Sequence, residues 1–266
     1  MAPADGAAQA GYAEAAADLA RRVLDALGGV GDTASLAAWA DGCADAKAAL
    51  AAVRVLGPDV LAPQALTGTA ADPRDAAVIA QSADVFPAPV FAPPPPEGPA
   101  EDWIMAWRDR ATATLLARHA GSAPQVPEPA VGDVLTDARP WQRWSVLMAQ
   151  LAPLGLPGVD GPVADAARRN PLALARGTTR AMLRRDYPTA ARLVRWLAAL
   201  HHDGIGLPLE PLPVADHIAL HAGTGPRTAL DLAVARRLLG AGPGPGDRGP
   251  EDGTPDQGPG TAGGRT

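Results

Sequence analysis

Four of the chain's five histidines and one neighbouring aspartate lie in a short stretch near the C-terminal end. His217 and His221 are four residues apart, so a helix would place both imidazoles on one face, as in many zinc and iron sites. His201, His202 and Asp203 end the preceding helix, and a tight connection would bring them toward that pair. These five residues predict a site for one divalent metal, either zinc, iron or manganese. The competing interpretation is four ordinary surface histidines, because a helix C-terminus favours histidine through its dipole and last carbonyls.

The segment ALHHDGIG in this stretch resembles the His-Asp doublet of HD-domain phosphohydrolases. In that family a His-Asp pair, an upstream histidine and a later aspartate hold a divalent metal. The resemblance implies that His202 and Asp203 form the doublet and that Asp231 is the later carboxylate. It covers only a handful of residues; His119 is the one upstream histidine, and the usual basic residue after the doublet is absent.

The same region resembles a second family through the spacing of Arg195 and His201, which is similar to the Arg-x(4–6)-His pattern of HEPN ribonucleases. That resemblance implies binding and hydrolysis of a phosphodiester. Both resemblances favour the hypothesis of a helical hydrolase that acts on a phosphorylated or nucleotide-like substrate.

Arginines form the second chemical pattern. They recur at helical spacing and predict a positive ridge that could contact phosphates or a carboxylate-rich surface; its members are Arg176, Arg180, Arg184, Arg192 and Arg195. The alternative is a solvated face that answers acidic groups in the same chain. Residues 1–100 carry 5 basic and 12 acidic side chains, whereas residues 165–239 carry 11 basic and 6 acidic ones.

Composition restricts the class of protein. The formal net charge of −6 argues against a protein that coats nucleic acid. One cysteine, Cys43, forms no intramolecular disulfide and is typical of a reducing compartment. No signal-peptide pattern and no apolar run of about 18 residues is present, so we expect a cytoplasmic protein without a membrane span. The oligomeric state is left open.

Apolar periodicity and helix-ending signals predict an all-α fold, because no segment shows the alternation of a strand. Helices are expected over residues 12–27, 32–56, after Asp72-Pro73, and over 101–121, 140–151, 170–186, 187–202, 214–222 and 226–239. The helix over 32–56 has Asp32 as its N-cap and an apolar seam that includes Cys43, which we expect to be a small buried hydrophobe. Tryptophans are expected to fill the core.

Proline-rich sequence divides the chain. Residues 1–84 predict an N-terminal helical hairpin region, 85–101 a linker that packs against the helices, and 102–239 a Trp- and Arg-rich bundle. The Gly- and Pro-rich residues 240–266 predict a disordered tail. Whether the two helical regions share one core or form two is left open by the sequence.

Three functional hypotheses follow from these patterns. The favoured one is a helical protein-interaction or regulatory module without catalytic activity, which would use the arginine ridge and the apolar seam to contact a protein partner. The first alternative is the metal-dependent hydrolase. The second is nucleic-acid binding through the ridge, although no aromatic interleaving or known RNA motif accompanies the arginines.

Overall fold

A computed structural model of the chain describes residues 3–29, 35–89, 92–223 and 225–240. Every regular element in these residues is a helix, which confirms the predicted all-α fold. The helices are α1 (Pro3–Gly28), α2 (Leu36–Gly42), α3 (Ala46–Leu56), α4 (Ala62–Thr67), α5 (Pro73–Val85), α6 (Ala100–Ala120), α7 (Asp133–Thr136), α8 (Trp141–Gln150), α9 (Pro162–Arg169), α10 (Pro171–Leu183), α11 (Tyr187–His202), α12 (Pro211–His221) and α13 (Pro226–Leu238). Two 3₁₀ turns, Gly57–Leu61 and Ala152–Leu154, join them in places.

Local capping residues set most helix boundaries. Asp72 accepts a hydrogen bond from the amide of Arg74 while Pro73 begins α5, as predicted. Gly121, at a φ of 75°, ends α6 in the left-handed conformation that glycine adopts without steric cost. Asp186 likewise caps α11 through the amide of Thr189. These signals are local, so the sequence located these helices well.

The helix predicted over residues 32–56 is wrong in one respect, because the chain breaks it into α2 and α3. Asp45 accepts hydrogen bonds from the amides of Lys47 and Ala48 and starts a new helix in the middle of the apolar seam. Cys43 ends α2 in an extended conformation and is only partly buried against the core. The proposed N-cap Asp32 and the tail residues 241–266 lie outside the described residues.

The buried residues form one contiguous cluster that runs from Leu19 on α1 to Leu238 on α13. Helix α11 lies near its centre and packs against α8, α10, α12 and α13, while α1 packs against both α3 and α13. The helical regions on either side of residues 85–101 therefore share one core, which answers the question that the sequence left open.

Three core tryptophans bond their N–H groups to backbone carbonyls inside the fold. The indole nitrogens of Trp103, Trp144 and Trp196 donate to the carbonyls of Ala130, Leu135 and Met148, over 2.8–2.9 Å. Because a buried indole needs a partner for its one donor, these bonds fix loops as well as fill space. The expectation that tryptophans fill the core is confirmed for five of the six, because Trp39 and Trp107 are buried as well and Trp141 alone is only partly buried.

The proline-rich segment over 85–101 is tied to the helical body. Arg54 on α3 donates from Nε to the carbonyl of Phe86 over 2.8 Å, and its Nη2 lies 2.6 Å from an oxygen of Asp109 on α6. One guanidinium thus joins the segment to helices on both sides of it. Residues 90 and 91 lie outside the described residues.

One stretch, Ala46–Thr67, is long and apolar enough to span a membrane by length and composition. Two thirds (67%) of its apolar window is buried inside the fold, and it contains Asp59, a fully buried ionisable residue. These properties are those of a core segment in a folded protein.

Gly177 on α10 lies at a close contact between α10 and α8. A Cβ built there would lie 2.7 Å from Ser145 Oγ and 3.2 Å from Leu193 Cδ1, so the helices would have to separate. At Gly11 on α1, the same position has no packing neighbour within 4 Å among the described residues outside the adjacent helix backbone. Gly177→Ala should therefore lower the free energy of unfolding by about 1–3 kcal/mol through overpacking.

Gly11→Ala is the matched control, because it makes the same change in a helix with open space around it. It should raise the free energy of unfolding by about 0.5–1 kcal/mol, the usual helix preference for alanine. Urea unfolding of both variants measures the difference. Two changes of the same sign would show that α8 and α10 do not approach as closely as described.

Candidate functional site

The five residues predicted as metal ligands all lie on the surface. His201, His202 and Asp203 end α11, and His217 and His221 lie on α12. Asp203 forms an ion pair with Arg168 at 3.1 Å, so its carboxylate already has a cationic partner. No group of three or more His, Cys, Asp or Glu side chains in the described part of the chain is arranged to hold a metal ion.

The two histidines of α12 do come together, as their spacing predicts. Their ring centroids are 4.3 Å apart and stacked, and the ring of Tyr187 stacks on His221 at 5.9 Å. His221 Nδ1 lies 2.8 Å from the carbonyl oxygen of His217, and since a carbonyl only accepts, that nitrogen carries the hydrogen. The pair is thus held by stacking and a backbone hydrogen bond, and the geometry gives the metal prediction no third ligand.

The residues that carry each family resemblance have different environments. Asp231 is fully buried and contacts Arg195 rather than the exposed His202 and Asp203. Arg195 is itself fully buried, whereas His201 is exposed. His119 is a buried residue whose Nδ1 contacts the carbonyl of Thr69 at 2.8 Å. Neither resemblance therefore assembles a catalytic constellation here.

The predicted arginine ridge separates into two groups. Arg176, Arg180 and Arg184 are exposed on or just after α10, as predicted. Arg195 is at 0% exposure, so its predicted place on a surface ridge is wrong, whereas Arg192 is 36% exposed along its side chain and lies apart from the arginines of α10. The physical reason is that α11 is enclosed by other helices on most sides and leaves no solvated face at Arg195.

The exposed group forms one side of α10 together with two leucines. Leu172 is 50% exposed and Leu183 is 82% exposed. At about 100° per residue, the positions from Leu172 to Arg184 named here fall within an arc of about 120°. We call this surface the basic face; it consists of Leu172, Arg176, Arg180, Leu183, Arg184 and the adjoining Arg185.

Arg185 has an unusual backbone conformation at the end of the basic face. Its φ is 58°, and it is the one non-glycine residue with positive φ among those described. The amide of Asp186 bonds to the carbonyl of Ala181 over 2.9 Å, which is the closing bond of a motif that normally has glycine at this position. An arginine here costs about 1–2 kcal/mol relative to a residue that tolerates the left-handed region.

The buried group belongs to an ion-pair network in the core. Arg195 Nη2 lies 2.6 Å from Asp59 Oδ1 and directs a hydrogen bond to the carbonyl of Pro153 at 3.2 Å. Arg195 Nη1 lies 3.2 Å from Asp231 Oδ1. Asp59, Arg195 and Asp231 are each at most 1% exposed. One guanidinium therefore joins a 3₁₀ turn of the N-terminal region to α11 and α13.

Two further arginines flank the network at its partly open side. Arg227 on α13 donates from Nη2 to Asp59 Oδ2 over 2.5 Å, and Arg192 Nε lies 3.7 Å from Asp231 Oδ2. Arg227 and Asp231 are one helical turn apart, as are Arg192 and Arg195. Helical spacing on two helices thus sets the geometry of the network, and Asp59 supplies the connection between distant parts of the chain.

The two buried carboxylates respond differently to this environment. Burial alone would raise the pKa of Asp59, but the charges of Arg195 and Arg227 outweigh it, so its pKa is lowered from the ordinary 3.8. Burial raises the pKa of Asp231, and the charges of Arg227 and Arg195 offset only part of that effect. Asp59 is the firmly ionised member of the pair.

Sequence reasoning missed Asp59. The signal that could have found it is its position in VLGPDVLAP, where it is the one ionisable residue between apolar neighbours. A carboxylate that folds into a core needs a cation beside it, because burying an unpaired charge is prohibitively unfavourable. The partner, Arg195, is 136 residues further along the chain and could not be identified from local pattern.

No protein-family model matches the chain, and no curated protein or solved structure matches it either.

Asp59 and Asp231 should contribute unequally to stability, and removing the charge of each carboxylate in turn tests this. Asp59→Asn leaves Arg195 and Arg227 without their shared partner and should lower the free energy of unfolding by about 3–5 kcal/mol. Asp231→Asn should cost at least about 1 kcal/mol less, since Arg195 keeps Asp59 and Arg192 is partly solvated. Urea unfolding at neutral pH measures both, and equal losses would contradict the asymmetry.

Acidification should reduce the contribution of Asp59 to the free energy of unfolding. Its folded pKa lies below the unfolded value of 3.8, so the unfolded state takes up the proton first as pH falls. The stability difference between the native protein and Asp59→Asn should stay constant from neutral pH down to about pH 4 and shrink below it. Urea unfolding of both proteins across this range tests the sign; a difference that grows on acidification would refute the lowered pKa.

Proposed function

We propose that the protein is a non-catalytic helical interaction or regulatory module that binds an acidic, amphipathic segment of a partner protein through the basic face. The observation that carries the proposal is the combination, on one side of α10, of exposed arginines and exposed leucines. The predicted cytoplasmic location is consistent with such a role and remains an expectation from the cysteine content.

The leucines favour a partner with an apolar stripe. Burying an exposed leucine side chain contributes about 1.5–3 kcal/mol. Leu183 is 82% exposed, so a partner that covers it would gain binding free energy. Leu172 lies three turns away on the same side of the helix. A partner helix with apolar residues at matching intervals would cover both.

The arginines favour carboxylates between those apolar positions. Arg176, Arg180 and Arg184 form no ion pair within the described residues, although the chain as a whole has a net charge of −6. Guanidinium groups pair with carboxylates through two parallel hydrogen bonds, which adds orientation as well as charge. Glutamates on the partner at helical spacing would meet successive arginines.

The conformation of Arg185 supports a binding role for this surface. A glycine would suit its left-handed backbone better, and glycine is common in this chain, numbering 29. An unfavourable local conformation that places a charge at a surface is a pattern associated with functional positions.

A protein partner fits this surface better than a nucleic acid. Phosphate backbones need only charge and spacing, and they would leave Leu172 and Leu183 in water. The hydrolase hypothesis is not carried forward, because the described donors do not converge on a metal position. Nucleic acid is kept as one arm of the test.

The test uses a designed helical peptide of about 18 residues, or five turns, with glutamates beside a leucine stripe. Fluorescence anisotropy should show binding to the full chain, and Arg180→Glu with Arg184→Glu should weaken it at least about tenfold through charge reversal. Leu183→Ser should weaken it as well, and Arg185→Gly should weaken it while the protein becomes more stable.

Matched controls exist elsewhere on the surface. Arg74→Glu changes an exposed arginine of α5, and Leu220→Ser changes a leucine of α12 that is 74% exposed. Both should leave peptide affinity within about twofold. Tighter binding of duplex DNA than of the peptide, lost in the Arg180→Glu and Arg184→Glu protein, would replace the proposal with nucleic-acid binding. Equal effects of test and control variants would refute the basic face as the site.

A further inference from the structure

A cleft of about 520 Å³ opens beside the ion-pair network. None of the residues that form the basic face lines it. Small side chains of α1, among them Ala13 and Ala16, line one side. Ile104 and Met105 on α6 and Leu56 on α3 supply larger apolar surface. The volume is within the range of about 300–1,000 Å³ that is typical of small-molecule sites.

Three arginines project to this mostly apolar cleft, namely Arg108, Arg192 and Arg227. Arg108 donates from Nη2 to the carbonyls of Val55 and Leu56, the latter at 3.2 Å. Its Nε, and Nη1 of Arg227, are buried and have no hydrogen-bond partner among the described atoms. Buried guanidinium hydrogens without acceptors are uncommon in folded proteins, so both side chains keep unused donor capacity beside the cleft.

The first turn of α13 also lines the cleft, through Gly225, Pro226, Arg227 and Thr228. Among the described residues, no side chain caps this helix of 13 residues. The N–H groups of an uncapped first turn carry partial positive charge, which makes such a terminus a binding element for anions. The helix end and the arginines therefore favour the same kind of ligand atom.

Charge around the cleft is not balanced. Arg108, Arg192, Arg195 and Arg227 bring four positive charges, whereas Asp59 and Asp231 bring two negative ones. Glu101 is exposed at the rim, where water screens it. Burial and the neighbouring charge of Arg227 lower the pKa of Arg108 to about 10, a sign that its positive charge lacks full compensation.

We propose that this cleft binds a phosphate monoester with an apolar body. The phosphate would lie at the start of α13 and accept hydrogen bonds from Arg108, Arg192 and Arg227. Its charge of about −2 would match the excess of positive charge around the cleft. The apolar body would lie along the alanines of α1 and against Ile104 and Met105. This site is independent of the basic face, so it neither requires nor excludes the proposed protein partner.

Octyl phosphate, below its micelle concentration, is the probe, and titration calorimetry on the full chain measures its binding. Inorganic phosphate and octanol represent its two halves, and octanoate replaces the phosphate by a carboxylate. Octyl phosphate should bind at least about tenfold more tightly than each of the three, and it should raise the melting temperature. Absence of binding at millimolar concentration, or equal affinity for octanoate, would overturn the phosphate assignment.

Two variants place the ligand in the cleft. Arg192→Gln removes a partly exposed charge and should weaken the binding of octyl phosphate at least about tenfold. Arg74→Gln changes an exposed arginine of α5 and should leave that affinity unchanged. Ala13→Leu extends a side chain into the cleft and should weaken it at least about fivefold, whereas Ala10→Leu, on the same helix outside the cleft lining, should leave it unchanged. Unaltered affinity in both test variants would place the ligand elsewhere and refute the proposal.

Discussion

The fold depends on one buried guanidinium, that of Arg195, and on the two carboxylates that surround it. A charge of this size cannot be left in an apolar core without opposite charge, since its desolvation costs several kcal/mol. The carboxylates come from a 3₁₀ turn near the start of the chain and from α13 near its end. Apolar packing of alanine-rich helices tolerates sliding, because small side chains interdigitate weakly. The ion pairs do not, because a shift of one helical turn would leave a charge unpaired. The network therefore specifies which turn of each helix meets the others.

This constraint explains why the arginines of neighbouring helices have different environments. Helix α11 is enclosed by its neighbours at Arg195, so that arginine can exist there only with carboxylates beside it. Helix α10 packs against α8 and α11 through Gly177 and other small residues and leaves its outer side in water. Its arginines need no internal partner, and none is present among the described residues. The same residue type is thus a structural element on one helix and a free cation on the next.

Local physics made most helices predictable, whereas the site required tertiary information. Proline at the first helical position, aspartate caps and glycine ends act within a few residues, so the start of α5 and the bounds of α6 and α11 followed from sequence. The helix start at Asp45 was not predicted, because the apolar periodicity continues across this residue and indicates one unbroken helix. The four C-terminal histidines predicted a metal site because they are close in sequence. In the fold, each is accommodated locally by ring stacking, a backbone hydrogen bond or solvent. The partners of Arg195 are far away in the chain, and no periodicity connects residues 59, 195 and 231.

The position of the cleft follows from the network rather than from any motif. Four arginines around two buried aspartates leave an excess of positive charge on the side where α1 presents only alanines. A larger side chain at those alanines would narrow the space beside the arginines. Small residues on α1 therefore keep open a volume whose electrostatic character is set by α6, α11 and α13. A ligand with a negative head would bring acceptors to Arg108 and Arg227, whose side chains line that volume. Since these groups belong to both the N-terminal and C-terminal parts of the core, an anion bound there would stabilise the junction on which the whole fold depends.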